Sequence, residues 1–136
     1  MDADWQFAYA QQLYSQEKFM IAVVEYERFV HLFPGDARVP ECRYQIGMAY
    51  FSEKRYTEAI RSFIELTETE DPSSSYQAPS FLMAAECQLR LGRQSSALTT
   101  LHNLAARSED ADVRDEANYR IGWIFLDMAD WEKART

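Results

Sequence analysis

Apolar positions along this chain recur three and four residues apart, in bursts of roughly four turns separated by short polar breaks. No segment alternates apolar and polar residues long enough to make a strand, so the pattern predicts helices throughout. The organising stretch is YQIGMAYFSEKRYTEAIRSF, residues 44–63, which reads as two short helices around the polar turn Glu53-Lys54-Arg55. Its skeleton recurs. Ala22, Ala59, Ala97 and Ala134 fall at intervals of 37, 38 and 37 residues, and each follows another small residue, Ala10, Gly47, Ala85 or Gly122, by twelve positions. A repeat of this length implies stacked units, none of which can bury its apolar face alone. The small pairs have a physical reason: where antiparallel helices cross, anything larger than a methyl pushes the axes apart. Gly47 and Ala59 are therefore expected to be the contact pair of one hairpin.

Turn and cap residues set the boundaries. Asp4 is expected to cap a first helix running to about Gln16, with a second over 19–33 ended by Pro34-Gly35-Asp36. Asp36 is expected to cap a helix over 38–52, with Pro40 tolerated in its first turn. A fourth helix covers 57–67, and residues 68–75 form the longest break. The fifth has Pro79 near its start and ends at Leu91-Gly92, a C-terminal glycine signal. Helices over 95–107 and 112–128 follow, and an eighth begins at Trp131 and stops at Thr136. The last unit thus leaves Ile124, Phe125 and Trp131 without a partner helix. Since helical arrays normally close with a polar cap, a fragment of a longer protein is expected, with an exposed end able to self-associate.

The motif Ile46-Gly47-x-x-Tyr50, then Ala59-x-x-x-Phe63, resembles the tetratricopeptide repeat. A first repeat offers Ala10, Leu13, Phe19, Ala22, Tyr26, Phe29 and Pro34, and a second adds Tyr56 and Leu66. The third is weaker: Ala85, Gly92, Ala97, Leu101 and Leu104 fit, but Gln88 and Gln94 stand where aromatics are usual. The fourth offers Ile121, Gly122, Phe125, Trp131 and Ala134. The tryptophan that often opens the motif is replaced by Gln6, Arg43, Phe81 and Asn118. The resemblance implies an all-α fold, a right-handed α-solenoid of antiparallel hairpins with about three and a half repeats, bounded near 3–36, 40–73, 78–110 and 115–136. The long period and the FPGD join are most similar to bacterial cell-envelope members, such as the Tol–Pal-associated coordinator and the outer-membrane-assembly lipoprotein. That implies the periplasm or cell envelope; otherwise the cytoplasm is expected.

The first helices carry a second apolar row at i, i+4 and i+7. It comprises Phe7, Gln11, Tyr14; Tyr44, Met48, Phe51; Leu82, Glu86, Leu89; and Tyr119, Trp123, Leu126. In the family such a row lines a concave groove that holds a segment of a partner. The resemblance thus points to Phe7, Tyr14, Tyr44, Met48, Phe51, Leu82, Glu86, Tyr119 and Trp123 as a partner-binding surface. The other reading of the row is packing between successive first helices. Asp4, Glu41, Glu86, Glu116 and Asp127 flank it against Arg90, which favours an apolar, neutral-to-basic segment. The Lys, Arg and Asn set that grips acidic chaperone tails is absent from these positions, so no carboxylate clamp is expected.

Charge narrows the partners. With 14 Lys and Arg against 22 Asp and Glu, the net charge of −8 argues against nucleic acid and anionic membranes. No run reaches the roughly eighteen apolar residues needed to span a bilayer, and no signal-peptide pattern opens the chain. Cys42 and Cys87 are about seven residues out of register between neighbouring repeats, roughly 10 Å along parallel helices, so two free, buried or half-buried thiols are expected. His31 and His102 have no second ligand at metal spacing, and no nucleophile, phosphate-loop or dinucleotide motif is present. Asp110-Ala-Asp112 lacks the glycine and closing glutamate of a calcium loop. No cofactor, metal or catalysis is expected. The function expected is a non-catalytic interaction scaffold, or alternatively an oligomerisation segment using the same surfaces.

Overall fold

The computed structural model describes residues 2–71 and 74–135, and the side chains of all of these except 131 and 133–135. Seven helices follow in chain order: α1 Ala3–Ser15, α2 Phe19–Leu32, α3 Val39–Ser52, α4 Tyr56–Thr69, α5 Gln77–Arg90, α6 Gln94–Arg107 and α7 Ala111–Arg135. No strand occurs among the described residues. The principal contacts of each helix are with its chain neighbours, as in a stack built one helix at a time. The fold is an all-α repeat.

Three hairpin turns are made the same way. Glu17, Lys54 and Gly92 take left-handed backbone angles, with φ of 60°, 58° and 74°. In each, the next residue's N–H reaches back five residues: Lys18 to the Leu13 carbonyl (2.9 Å), Arg55 to Tyr50 (2.8 Å) and Arg93 to Gln88 (2.8 Å). This is the Schellman closure, which satisfies carbonyls left open at a helix end. The fourth register position is Ala129. There the expected turn does not form: α7 runs unbroken for 25 residues, so the separate helices over 112–128 and from 131 are one. The side chains of Trp131 and Ala134, counted above toward a fourth hairpin, lie outside the described residues.

The small residues are buried: Ala10, Ala22, Ala59, Ala85 and Ala97 are at most 1% exposed. Gly47 also makes room for a ring of the facing helix. A Cβ built on Gly47 would lie 2.6 Å from the Phe63 ring, so the glycine is a slot for that ring, one helical turn beyond Ala59. Two caps also differ. Asp2, not Asp4, caps α1, accepting from the Asp4 N–H at 3.0 Å. Asp36 accepts from the Arg38 N–H at 2.9 Å, and α3 begins at Val39. Helix α4 continues to Thr69, two residues past its expected end, because its last turn still buries Leu66 and Thr67.

The open tryptophan positions are filled in different ways. Gln6 is fully buried and donates to the Glu25 carbonyl (2.9 Å) and carboxylate (2.7 Å), while Arg28 holds that carboxylate at 3.2 Å. Arg43 reaches the Thr69 hydroxyl at 3.1 Å, and in the next repeat the Arg107 guanidinium lies 5.7 Å from the Phe81 ring centroid. Gln88 is also buried, accepting from the Thr100 hydroxyl at 2.8 Å, so a polar pair serves where an aromatic is usual.

Candidate partner-binding face

The predicted row divides into joint-forming and open residues. Phe7 lies against Tyr26 and Phe29, with centroids at 6.4 and 5.7 Å, and the Arg38 guanidinium is 5.1 Å from its ring. Arg38 in turn reaches Asp4 at 2.9 Å and Asp36 at 3.0 Å, tying α1 to the start of α3. Tyr44 is set between Phe63 and Tyr76, both at 5.6 Å. Tyr14 meets Phe19 edge-on at 5.1 Å, and Phe51 meets Tyr56 at 5.8 Å in the same register, with Arg90 5.4 Å from the Phe51 ring. Burial raises the Tyr14 hydroxyl pKa, opposed by a hydrogen bond with Ser52. Burial likewise raises that of Tyr44. These four half-buried rings hold neighbouring helices together. Met48, Leu82, Glu86 and Leu89 are half-buried as well.

At α7 the row opens. Tyr119 and Trp123 are 63% and 56% exposed, with their rings edge-on at 6.2 Å. Here α5, α6 and α7 frame a cleft of about 310 Å³, walled by Leu89, Leu101, Trp123 and Ile124 and rimmed by Glu86, Arg120 and Asp127. The expected acidic flank is thinner than its residue count. Asp4 is taken by Arg38, Glu86 by Arg90 at 2.9 Å, and Glu116 by Arg120 at 2.8 Å. A larger hollow of about 550 Å³ lies elsewhere, between the 71–77 connection and the α6–α7 join, and holds none of the predicted residues.

Two surface features escaped the sequence reading. Trp5 and Tyr9 stack at 5.2 Å and are 56% and 37% exposed. Their register equivalents, Cys42 and Ile46, Ser80 and Ala84, and Ala117 and Ile121, are all buried. The signal was present: Trp5 puts a bulky ring at a register position otherwise held by Cys, Ser or Ala. The second feature is Arg120, recognisable as the i+4 partner of Glu116.

The remaining candidates carry no chemistry. Cys42 and Cys87 are free and fully buried, as expected, and burial pushes their thiols up to about 12 and about 11. His31 and His102 are exposed. Among the described residues, no cluster of His, Cys, Asp or Glu could hold a metal, and no helix is long and apolar enough to cross a membrane.

Comparison with known families and structures places this geometry. Tetratricopeptide-repeat models match residues 40–70 and 80–110, the second and third hairpins. No curated protein matches it by sequence. Among solved structures it is similar to PcrH of Pseudomonas aeruginosa in complex with the chaperone-binding region of PopD, at 18% identity over 92% of each chain with a TM-score of 0.69. It is similar to the Yersinia enterocolitica type III secretion chaperone SycD with a peptide of the translocator YopD, at 16% identity over 92% and 93% with a TM-score of 0.72. The TPR2AB domain of yeast Sti1, complexed with Hsp90, aligns with 96% of this chain and 48% of its own at 16% identity and a TM-score of 0.74. At these identities the likeness is one of fold.

Proposed function

We propose that this chain is a non-catalytic protein-interaction scaffold that holds an apolar, neutral-to-basic segment of a partner against the row of its first helices. The α5–α7 cleft is the principal contact. The observation carrying this reading is that cleft: Leu89, Leu101 and Trp123 offer apolar area, while Asp127 gives its rim negative charge. The complexes of PcrH and SycD, whose similar folds hold a translocator segment, lend support. Of the predicted surface, Met48, Leu82, Glu86, Tyr119 and Trp123 contact the ligand, and Phe7, Tyr14, Tyr44 and Phe51 shape the wall behind it. The setting proposed for it is the bacterial cell envelope, which fractionation of the native host cell tests.

The test is a peptide array followed by calorimetry. Apolar peptides with Lys or Arg are expected to bind, and Trp123→Ala weakens them about tenfold or more, as removal of a central aromatic anchor does. Binding by acidic-tailed peptides alone rejects the reading. Tyr44→Ala is a poor probe, because its ring supports Phe63 and Tyr76. The alternative, self-association, is favoured by the exposure of Tyr119, Phe125 and Leu126 at the α7 end. Light scattering that shows concentration-dependent dimers supports it, and a monomer throughout excludes it.

A further inference from the structure

We infer that the α5–α7 cleft is shaped for a tyrosine of the partner segment, with the ring against Trp123 and the hydroxyl donating to Asp127. This rests on the interaction role proposed for that cleft and names the side chain it reads. Each joint of the stack is made by three consecutive helices, and three register positions recur in it. The first helix supplies Tyr14, Phe51 or Leu89 near its end. The second supplies Phe19, Tyr56 or Gln94 at its start. The third supplies Ser52, Arg90 or Asp127.

The first two joints fill these positions alike. Tyr14 and Phe19 meet edge-on with centroids at 5.1 Å, and Phe51 and Tyr56 do so at 5.8 Å. A polar side chain of the third helix then meets the phenol of each pair. Ser52 hydrogen-bonds Tyr14, and Arg90 donates to the Tyr56 hydroxyl at 3.4 Å while lying 5.4 Å from the Phe51 ring centroid. A joint is thus closed by two rings, one of them a phenol whose hydroxyl finds a partner on the next helix.

The third joint has neither ring. Leu89 and Gln94 take their places, and there the cleft of about 310 Å³ opens. All three helices of this joint are described, as they are in the other two, so the missing rings are a property of its own sequence. The third position holds Asp127, which lines the cleft, and its carboxylate has no partner among the described residues. The other charges on the rim are paired, Glu86 with Arg90 at 2.9 Å and Arg120 with Glu116 at 2.8 Å. A carboxylate can only accept, so the occupant that completes the pattern is a ring with a donor at its tip. Phenylalanine lacks the donor. Arginine or lysine would answer Asp127 but leave the ring space to a thin stem. The half-exposed indole of Trp123 gives the incoming ring a surface to lie against.

The probes are four acetylated, amidated heptapeptides with lysine at both ends, leucine and alanine between, and Tyr, Phe, Leu or Arg at the centre. Each is titrated into the full chain by calorimetry. The tyrosine peptide is expected to bind tightest, about tenfold above the phenylalanine peptide, as one hydrogen bond to a charged acceptor implies. Asp127→Ala is expected to bring the tyrosine peptide down to the phenylalanine level and to leave the phenylalanine peptide unchanged. Leu89→Phe combined with Gln94→Tyr puts the two rings back and is expected to weaken the tyrosine peptide by about tenfold or more. Circular dichroism checks the fold of each variant, and Asp127→Ala, at an exposed position, decides alone if the double variant does not fold. The inference is overturned if the four peptides bind alike, if the leucine or arginine peptide binds tightest, or if the tyrosine preference survives either variant. Those results leave the cleft standing as an interaction site. Binding by none of the four removes both the inference and the reading beneath it.

Discussion

The second and fourth units of this chain begin almost alike and end differently. Ile46-Gly47-x-x-Tyr50 and Ile121-Gly122-x-x-Phe125 present the same residue types at the same spacing. In one, Gly47 is buried under Phe63; in the other, Gly122 faces open space. The difference does not lie in the first helices. It lies in the segment that follows: the chain turns back at Lys54, with φ of 58°, whereas α7 stays helical through Ala129. A repeat motif thus specifies a surface, and the joint that covers it depends on the turn and on what comes next.

The comparison can be broken most forcefully at the rings. Phe63→Ala empties a fully buried site and is expected to cost about 3–5 kcal/mol, whereas Phe125→Ala stays within about 0.5 kcal/mol, both by urea denaturation. The glycines should then respond with opposite signs. Gly47→Ala drives a methyl into the Phe63 ring and loses about 1–3 kcal/mol by overpacking, even after the higher helix propensity of alanine is counted. Gly122→Ala meets nothing and gains up to about 1 kcal/mol. The turn positions should oppose each other too. Lys54→Gly relieves a left-handed side chain and stabilises by roughly 0.5–1 kcal/mol, while Ala129→Gly, inside a helix, costs a similar amount.

The smallest effect is expected at the α2–α3 join. Hydrogen bonds from Arg38 hold the Asp36 carboxyl down at about 2, against an ordinary value near 3.8. A carboxyl depressed on folding contributes stability above its unfolded pKa and loses it as pH falls through the folded value. The decline from about pH 4 to about pH 2 should therefore be shallower in Asp36→Asn, followed by thermal melts across that range. The register equivalent, Ser74, accepts from the Tyr76 N–H at 3.3 Å through a hydroxyl, so Ser74→Ala should leave the same pH window unchanged.

Much of the fold was legible because it rests on local signals. The 37–38 residue period, the small-residue pairs and the turn chemistry located α1 to α6 to within a few residues, and the two thiols were read correctly as free and buried. What was not legible required knowing the neighbours. That the Phe63 ring fills the space a side chain at Gly47 would take depends on side-chain direction along the facing helix. The row of the first helices could not be divided in advance, because Phe7 and Tyr119 look equivalent until α2 is seen to cover one while the other stays 63% exposed. Trp5 stands out only once Cys42, Ser80 and Ala117, its register equivalents, are seen to be buried while it is 56% exposed.

The claim on which the functional reading turns is that the α5–α7 cleft receives the partner segment. Amide shift mapping of the isotope-labelled chain, titrated with an apolar peptide carrying Lys or Arg, tests it most directly. The account predicts saturable shifts centred on residues 119–126 of α7 and on the α5 residues that face it. Shifts centred on the second helices α2 and α4, or none at saturating peptide, would contradict it.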